Sequence, residues 1–310
     1  MTSATAHRRR GGLLSRTVPL LLLLVGIVVL LYPVVATEWN NTKQHEFSAQ
    51  YKDEVQQASS GALAQELERA HTYNAGLSGV PILDPYLKGV STTDMSDAYK
   101  QYESTLASFD AMARIRVPAV GIDLPVYHGT SDKALAMGAG HLYGTSLPVG
   151  GTGTHAVLTS HTGMSNASLF DHLIQVKEGD MMYVDIYGQT LAYQVDSIKV
   201  VLPTQIDDLR VVKGEDLLTL FTCTPYAVNT HRLLVTGHRV PYNVATTQPA
   251  SRVASLLRLE TWMYGLVGGA FAALILFVLI VVREIRIGRV SARRVKSEEG
   301  AHGLIIRPGG

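Results

Sequence analysis

The sequence predicts an all-β domain held between two membrane-spanning helices. From Arg114 to Tyr242 the chain is a succession of short β-branched or alternating runs separated by Gly and Pro. Two uncharged apolar segments flank this region, one near each end of the chain. Seven or eight short strands in about 130 residues are typical of a closed barrel or a sandwich, and not of a βαβ fold.

The two apolar segments are long enough to cross a membrane. Val18–Ala36 has 19 residues and Met263–Val282 has 20, and a bilayer core of about 30 Å needs roughly 20 helical residues. The basic flanks, residues 1–17 and 283–310, lie on the outer side of each segment, so the positive-inside rule predicts both tails in the cytoplasm. A signal peptide is the alternative for the first segment, although its length and Pro33 favour a retained anchor.

Charge and composition exclude several classes of partner. Residues 18–282 hold 16 basic and 23 acidic side chains, and they show neither a basic stripe nor zinc-finger spacing. We therefore expect no nucleic-acid partner. No cluster of metal ligands and no phosphate-binding loop is evident, so we expect no metal and no cofactor.

The segment before the strands is predicted to be helical. Two apolar stripes at helical spacing support this prediction: Leu63, Leu67 and Ala70 in the first, and Tyr99, Tyr102 and Leu106 in the second. The expected organisation is a basic tail (1–17), a transmembrane helix (18–36), a helical segment (37–112), the β domain (113–242), a linker (243–262), a transmembrane helix (263–282) and a second basic tail (283–310).

The chain contains a single cysteine, Cys223, at the end of the apolar run LLTLFTC. A lone cysteine is commonly a small buried hydrophobe. An exported domain with one thiol cannot form an internal disulfide, however, and such a thiol is a liability in an oxidising compartment unless it is buried or used. Cys223 is therefore a candidate nucleophile as well as a candidate core residue.

Strand alternation identifies which residues can lie beside this cysteine. Side chains along a strand point alternately to opposite faces. Cys223 shares a face with Phe221, while in HRLLVTG Arg232 shares a face with Leu234 and His231 points the other way. Arg232 can therefore lie beside Cys223 on a neighbouring strand, and His231 is not expected to reach the same cavity.

A nucleophilic cysteine needs a proton acceptor and a group that stabilises the oxyanion. His161 ends the apolar run AVLTS and precedes Thr162-Gly163, a strand-to-loop position of the kind from which side chains project into clefts. His141 and His155 compete with it as candidates.

Three motifs occur in a characteristic order: LTSHTG (Leu158–Gly163), TLFTC (Thr219–Cys223) and an arginine nine residues after the cysteine. In this combination the chain resembles the sortases, which are cysteine transpeptidases on an eight-stranded β-barrel. The resemblance covers roughly Ile115–Val240. It implies four roles: Cys223 as nucleophile, His161 as general acid and base, Arg232 as the donor that holds substrate and oxyanion, and Thr222 as a substrate-binding residue.

Two further stretches, GHLYGTSLPVGG and TPYAVNTHRLLVTGHR, resemble the class C, pilin-polymerising branch. That branch carries a lid with an aspartate-proline-aromatic motif, which Asp84-Pro85-Tyr86 matches. The resemblance implies that Asp84 pairs with Arg232 and that Tyr86 covers the sulfur of Cys223. From the residues alone, an Asp-Pro pair is also typical of a simple turn.

The resemblance implies a reaction and a location. Cleavage of an LPXTG-like signal between Thr and Gly, followed by transfer of the acyl group to a lysine amine of another pilin subunit, would occur on the extracellular face of a multi-pass membrane protein. Three alternatives remain: a sortase that anchors proteins to peptidoglycan, a membrane-tethered cysteine peptidase, and a non-catalytic envelope receptor with a structural cysteine.

Overall fold

The computed structural model describes residues 11–77, 86, 97–205, 207–243 and 261–302. The chain divides into two units, one formed by Met1–Val35 with Arg258–Gly310 and the other by Ala36–Leu257. In chain order the elements are α1 (Gly11–Gln57), α2 (Ser60–Gly76), α3 (Asp97–Ser104), β1 (Ala113–Val117), β2 (Ile122–His128), α4 (Asp132–Met137), β3 (Ala139–His141), β4 (Thr154–Thr159), β5 (Met181–Ile186), β6 (Gln189–Val201), β7 (Asp216–Thr224), β8 (His231–Val240) and α5 (Thr261–His302).

The first and last helices are candidate membrane spans by length and composition. The apolar stretches lie within Thr17–Gln57 of α1 and Trp262–Arg286 of α5, which agrees with the two predicted spans. Helix α1 runs through Pro33 and continues to Gln57 without interruption.

Helices α2 and α3 follow the predicted apolar stripes with one exception. Leu67 and Ala70 of α2 are buried, as is Tyr102 of α3. The prediction that Leu106 belongs to the second helix is wrong, because α3 ends at Ser104. Leu106 instead has a left-handed backbone with a φ of 60°, and this turn still directs its side chain into the core.

The strands form a closed barrel in the order β1-β2-β3-β4-β7-β8-β6-β5. The predicted all-β barrel of eight strands is confirmed, and the sandwich alternative is excluded. The pairs β2–β3 and β4–β7 are parallel, and the remaining neighbours are antiparallel. The parallel pair β4–β7 matters for function, since it aligns the ends of two strands that carry candidate site residues.

The strands bury apolar side chains on both faces near the site. Leu218 and Leu220 of β7 belong to the main barrel core. Phe221, one residue further along, points to the opposite face and joins a smaller cluster. This outer cluster consists of Leu142, Val157, Leu209, Phe221 and Leu234, with Tyr86 and Val201 packed against it. The candidate site residue Tyr86 packs against this outer cluster.

Candidate active site

The ends of β7 and β8 bring Cys223 and Arg232 together. The two residues are directly opposite each other in the antiparallel pair, so their side chains project from the same face. Both are buried, with 7% of Cys223 and 3% of Arg232 exposed. His231 is paired with Thr224 and is therefore one position out of phase, as the strand alternation predicts.

His161 lies at the end of the strand next to β7. The last residue of β4, Thr159, is level with Phe221 in the parallel pair, so the chain two residues later runs level with Cys223. Burial lowers the pKa of His161 below its ordinary value, and the charge of Asp132 opposes that shift. Burial therefore favours the neutral form of the imidazole.

Tyr86 connects the residues of this cleft. Its ring centroid is 5.4 Å from that of His161. The same ring stacks on Phe221, with the two ring centroids 5.9 Å apart. The guanidinium carbon of Arg232 lies 5.4 Å from the centroid of the same ring, within the range of a cation–π contact. The tyrosine hydroxyl is 2.8 Å from Oγ1 of Thr159. Asp84 and Pro85, the other residues of the expected lid, lie outside the described residues.

The Arg232 guanidinium is oriented by the loop between β7 and β8. Its Nη1 donates to the carbonyls of Asn229 and His231, each at 3.1 Å. Asn229 and Ala227 both have positive φ, at 59° and 61°, so the loop curls back towards the arginine. A guanidinium carries a delocalised positive charge on a planar set of donors. Arg232 is thus a fixed cation beside the thiol.

Thr222 lies on the other face of β7 from Cys223. Its side chain is 2% exposed, and its hydroxyl donates to the carbonyl of Ser160 at 2.7 Å. This bond ties the end of β4 to the end of β7, immediately beside His161 and Cys223. That Thr222 contacts the substrate remains a prediction.

The two competing histidines lie in the barrel wall. His141 is fully buried between the hydroxyl of Tyr102 and the carbonyl of Ser146, and burial lowers its pKa to about 4. His155 bridges the carbonyl of Arg210 and the hydroxyl of Thr219. Both nitrogens of each ring have a protein partner, so neither histidine is arranged as a partner for Cys223.

One feature of the site was missed by the sequence analysis. Oδ1 of Asp171 accepts hydrogen bonds from Oγ1 of Thr162 at 3.0 Å and from the amide of Gly163 at 2.7 Å. The amide of Phe170 also donates to the carbonyl of His161. The loop after His161 is thus folded back on it, and the only signal in the sequence was an aspartate ten positions away.

A thiol, an imidazole and a guanidinium at the ends of neighbouring strands are the groups needed for nucleophilic acyl transfer. The thiol can attack a carbonyl, the imidazole can move a proton, and the cation can stabilise the resulting oxyanion. Among the residues that the structure describes, no three His, Cys, Asp or Glu side chains come together as a metal site.

Comparisons with known proteins agree with this chemistry. A family model described as Sortase domain matches residues 115–240. Sortase A of Bacillus anthracis is 30% identical over 152 residues, which are 48% of this chain and 70% of the relative. The crystal structure of sortase C-1 from Actinomyces oris is 52% identical with a TM-score of 0.57, covering 59% of this chain and 99% of that one. The chain belongs to the sortase family.

This sortase is therefore a cysteine transpeptidase, and two other solved sortases are similar to it. One is sortase C of Streptococcus pneumoniae, described as giving insight into catalysis and pilin substrate specificity; it is 38% identical with a TM-score of 0.57, covering 64% of this chain and 97% of that one. The other is a lid mutant of sortase A from Corynebacterium diphtheriae, 45% identical with a TM-score of 0.55, covering 61% of this chain and 98% of that one.

Proposed function

We propose that this sortase is a class C enzyme that polymerises pilin. It cleaves an LPXTG-like signal between Thr and Gly and joins the threonine carbonyl to a lysine amine of another pilin subunit. The observation that carries the proposal is Tyr86, which contacts His161 and Arg232 at once. The 52% identity to a sortase C-1 supports the class.

The first half-reaction acylates the enzyme. His161 accepts the proton of the Cys223 thiol, and the sulfur attacks the carbonyl carbon of the substrate threonine. The Arg232 guanidinium stabilises the oxyanion that forms. When the C–N bond breaks, protonated His161 gives its proton to the departing glycine amine. The products are a thioester on Cys223 and the free C-terminal fragment.

The second half-reaction transfers the acyl group. Neutral His161 takes a proton from the incoming lysine amine, whose nitrogen then attacks the thioester carbonyl. The C–S bond breaks, an isopeptide bond remains, and the thiol of Cys223 is restored by the proton held on His161. The lowered pKa of His161 suits this step, because a histidine must be neutral to act as a base.

The contacts of Tyr86 are evidence in favour of a lid over the active site. Its ring occupies the position above the outer cluster where a substrate would contact His161 and Arg232. We infer that Asp84 pairs with Arg232 in the same lid, since a carboxylate next to a guanidinium is a favourable pair. An aromatic cover would also protect an exported thiol from oxidation.

We also propose that the enzyme is a multi-pass membrane protein with its barrel outside the cell. The two candidate spans and the basic residues beyond them support this arrangement by the positive-inside rule. The seven segments predicted from the sequence would then be two cytoplasmic tails, two spans, and an extracellular helical segment, barrel and linker. Cysteine labelling of intact cells with an impermeant reagent, at positions introduced in each tail, tests the orientation.

The test of the function uses the full chain in detergent with an LPXTG peptide and a lysine-bearing pilin fragment, read by mass spectrometry. We expect a branched amide product with wild type and none with Cys223→Ala. Asp84→Ala removes the carboxylate proposed to hold the lid on Arg232, so this variant is included and is expected to raise the rate.

The same experiment separates the alternatives. Amide formation with a peptidoglycan stem peptide in preference to the pilin lysine would indicate a wall-anchoring sortase. Free acid in the presence of saturating amine would indicate a peptidase. If neither wild type nor Asp84→Ala formed any product, and Cys223 resisted alkylation in the folded chain, the cysteine would be structural.

A further inference from the structure

The loop that follows His161 is attached to helix α1, far away in the sequence. We name residues 162–171 the histidine loop. The side chain of Asn41 accepts a hydrogen bond from the amide of Ser168 and donates to its Oγ, both at 3.0 Å. Asn40 donates to the carbonyl of Asn166 at 2.7 Å. One turn of α1 thus holds the middle of this loop.

The attachment continues through the loop to His161. The amide of Asp171 donates to the carbonyl of Ser168 at 2.7 Å, and the Asp171 carboxylate holds the turn at Thr162 and Gly163. Gly163 in turn approaches the loop after Cys223 so closely that a β-carbon there would lie 3.0 Å from the amide nitrogen of Ala227. The chain of contacts therefore reaches both sides of the reacting centre.

Local backbone conformation shows that the loop needs support. Leu169 has a φ of 41°, a left-handed conformation that residues other than Gly, Asn and Asp rarely adopt. Its neighbour Ser168 is the residue held by Asn41, and the side chains of Ala167 and Leu169 are buried. The asparagine and the buried side chains together fix a loop shape that the isolated chain would not favour.

We propose that Asn41 of helix α1 is a positioning residue for catalysis, which holds the histidine loop so that His161 faces Cys223. This inference rests on the proposed role of His161. Helix α1 would then serve the active site as well as the membrane span. A misplacement of a catalytic group by about 1 Å can cost on the order of 100-fold in rate, so two lost hydrogen bonds at the loop are enough to matter.

The test compares Asn41→Ala with wild type as full-length protein in detergent. We expect kcat for transpeptidation to fall by roughly tenfold or more while KM stays unchanged. Thr42→Ala is the matched control, because Thr42 is exposed and its hydroxyl bonds only within the helix, to the carbonyl of Glu38. Asn41→Asp keeps the acceptor for the Ser168 amide and is expected to restore most of the rate.

A second readout does not depend on turnover. The titration of His161, followed by NMR with His161→Gln used for assignment, is expected to move towards the ordinary histidine value in Asn41→Ala, since a loosened ring is better solvated. If wild type were inactive, the proposed function would fail while this titration still tested the loop. If Asn41→Ala does not fold, Ser168→Ala, which removes one of the two bonds, is measured instead, with a smaller loss expected. Wild-type kcat and an unmoved His161 titration in the folded variant would overturn the inference.

Discussion

His141 and His161 both lie at the ends of short strands of one barrel, in contrasting surroundings. His141 closes β3, is fully buried, and has Tyr102 and Ser146 as partners for its two nitrogens. His161 follows β4, is only partly buried, and has the ring of Tyr86 against its own. Burial lowers the pKa of both, to about 4 for His141.

The contrast shows what distinguishes a structural histidine from a candidate catalyst. A ring with both nitrogens bonded inside a core is held neutral and has no proton to exchange with a substrate. A partly buried ring at a strand end, beside a strand that carries a thiol, can exchange a proton with a substrate. Burial alone does not distinguish a structural residue from a candidate catalytic one, because Cys223 and Arg232 are also buried.

The largest expected effect is the loss of the proton-transfer group. His161→Gln should lower kcat by roughly 100- to 10,000-fold, since a glutamine cannot take or give the proton, while the free energy of unfolding changes by less than about 1 kcal/mol. Steady-state kinetics and chemical denaturation measure the two quantities.

The control for that experiment is His141→Gln. It should destabilise the barrel by about 1–3 kcal/mol, because Tyr102 and Ser146 lose a buried partner, and the folded fraction should keep its kcat. The comparison fails if His141→Gln abolishes turnover in folded protein or if His161→Gln leaves it intact.

The second prediction concerns stability against pH. His141 has a folded pKa of about 4, below the value of about 6.5 in an unfolded chain. Between these values the unfolded chain binds a proton at this histidine that the folded chain does not. The contribution of His141 to the free energy of unfolding is therefore complete above pH 6.5 and is lost as the pH falls to 4. The loss should amount to ~3 kcal/mol. Denaturation of wild type and His141→Gln, followed by near-ultraviolet circular dichroism, should show the steeper decline in wild type; parallel curves would contradict it.

The third prediction concerns the cation of the site. Arg232→Lys should lower kcat/KM by about 10- to 100-fold, because a lysine keeps the charge but loses the planar set of donors. Arg239→Lys on the same strand is the matched control. Its guanidinium lies near Asp216 and over Tyr193, at the opposite end of β8, and its effect on kcat/KM should be small. Equal losses in the two variants would argue against a special role for Arg232.

The smallest expected effect is a shift of the pH profile. Tyr86→Ala exposes His161, so its pKa should rise towards the ordinary value. Because His161 must be neutral to act as a base, activity should be lost at a higher pH than in wild type as the pH falls. Tyr86→Phe keeps the ring that covers His161 and loses the hydroxyl contact with Thr159, so its profile should match wild type. An acid limb that moves the other way, or not at all, would exclude the proposed shielding.

Much of the arrangement of the site could be predicted from the sequence, because it depends on local periodicity. The period-2 alternation of TLFTC and HRLLVTG is enough to pair Cys223 with Arg232 and to exclude His231. The strand-end position of His161 is equally local. The motif Asp84-Pro85-Tyr86 pointed to the ring that covers the site, although only Tyr86 belongs to the described part of the chain.

The remaining features depend on contacts between distant segments. Asn41 and Ser168 are 127 positions apart, and nothing near either residue predicts that they meet. Tyr102 and His141 are 39 apart, so their shared burial follows from barrel closure. Leu106 was misassigned because a helical stripe does not reveal that the helix ends two residues earlier and that a left-handed turn completes the packing.

The roles of Cys223 and His161 are tested most directly by the mass of the intact enzyme after mixing with an LPXTG peptide in the absence of amine. Wild type is expected to gain the mass of the peptide up to its threonine, on Cys223, and to release the glycine-initiated fragment. Cys223→Ala should gain nothing, and His161→Gln should gain the adduct far more slowly. An adduct on another residue, or equal rates in wild type and His161→Gln, would contradict the assignment of nucleophile and proton-transfer group.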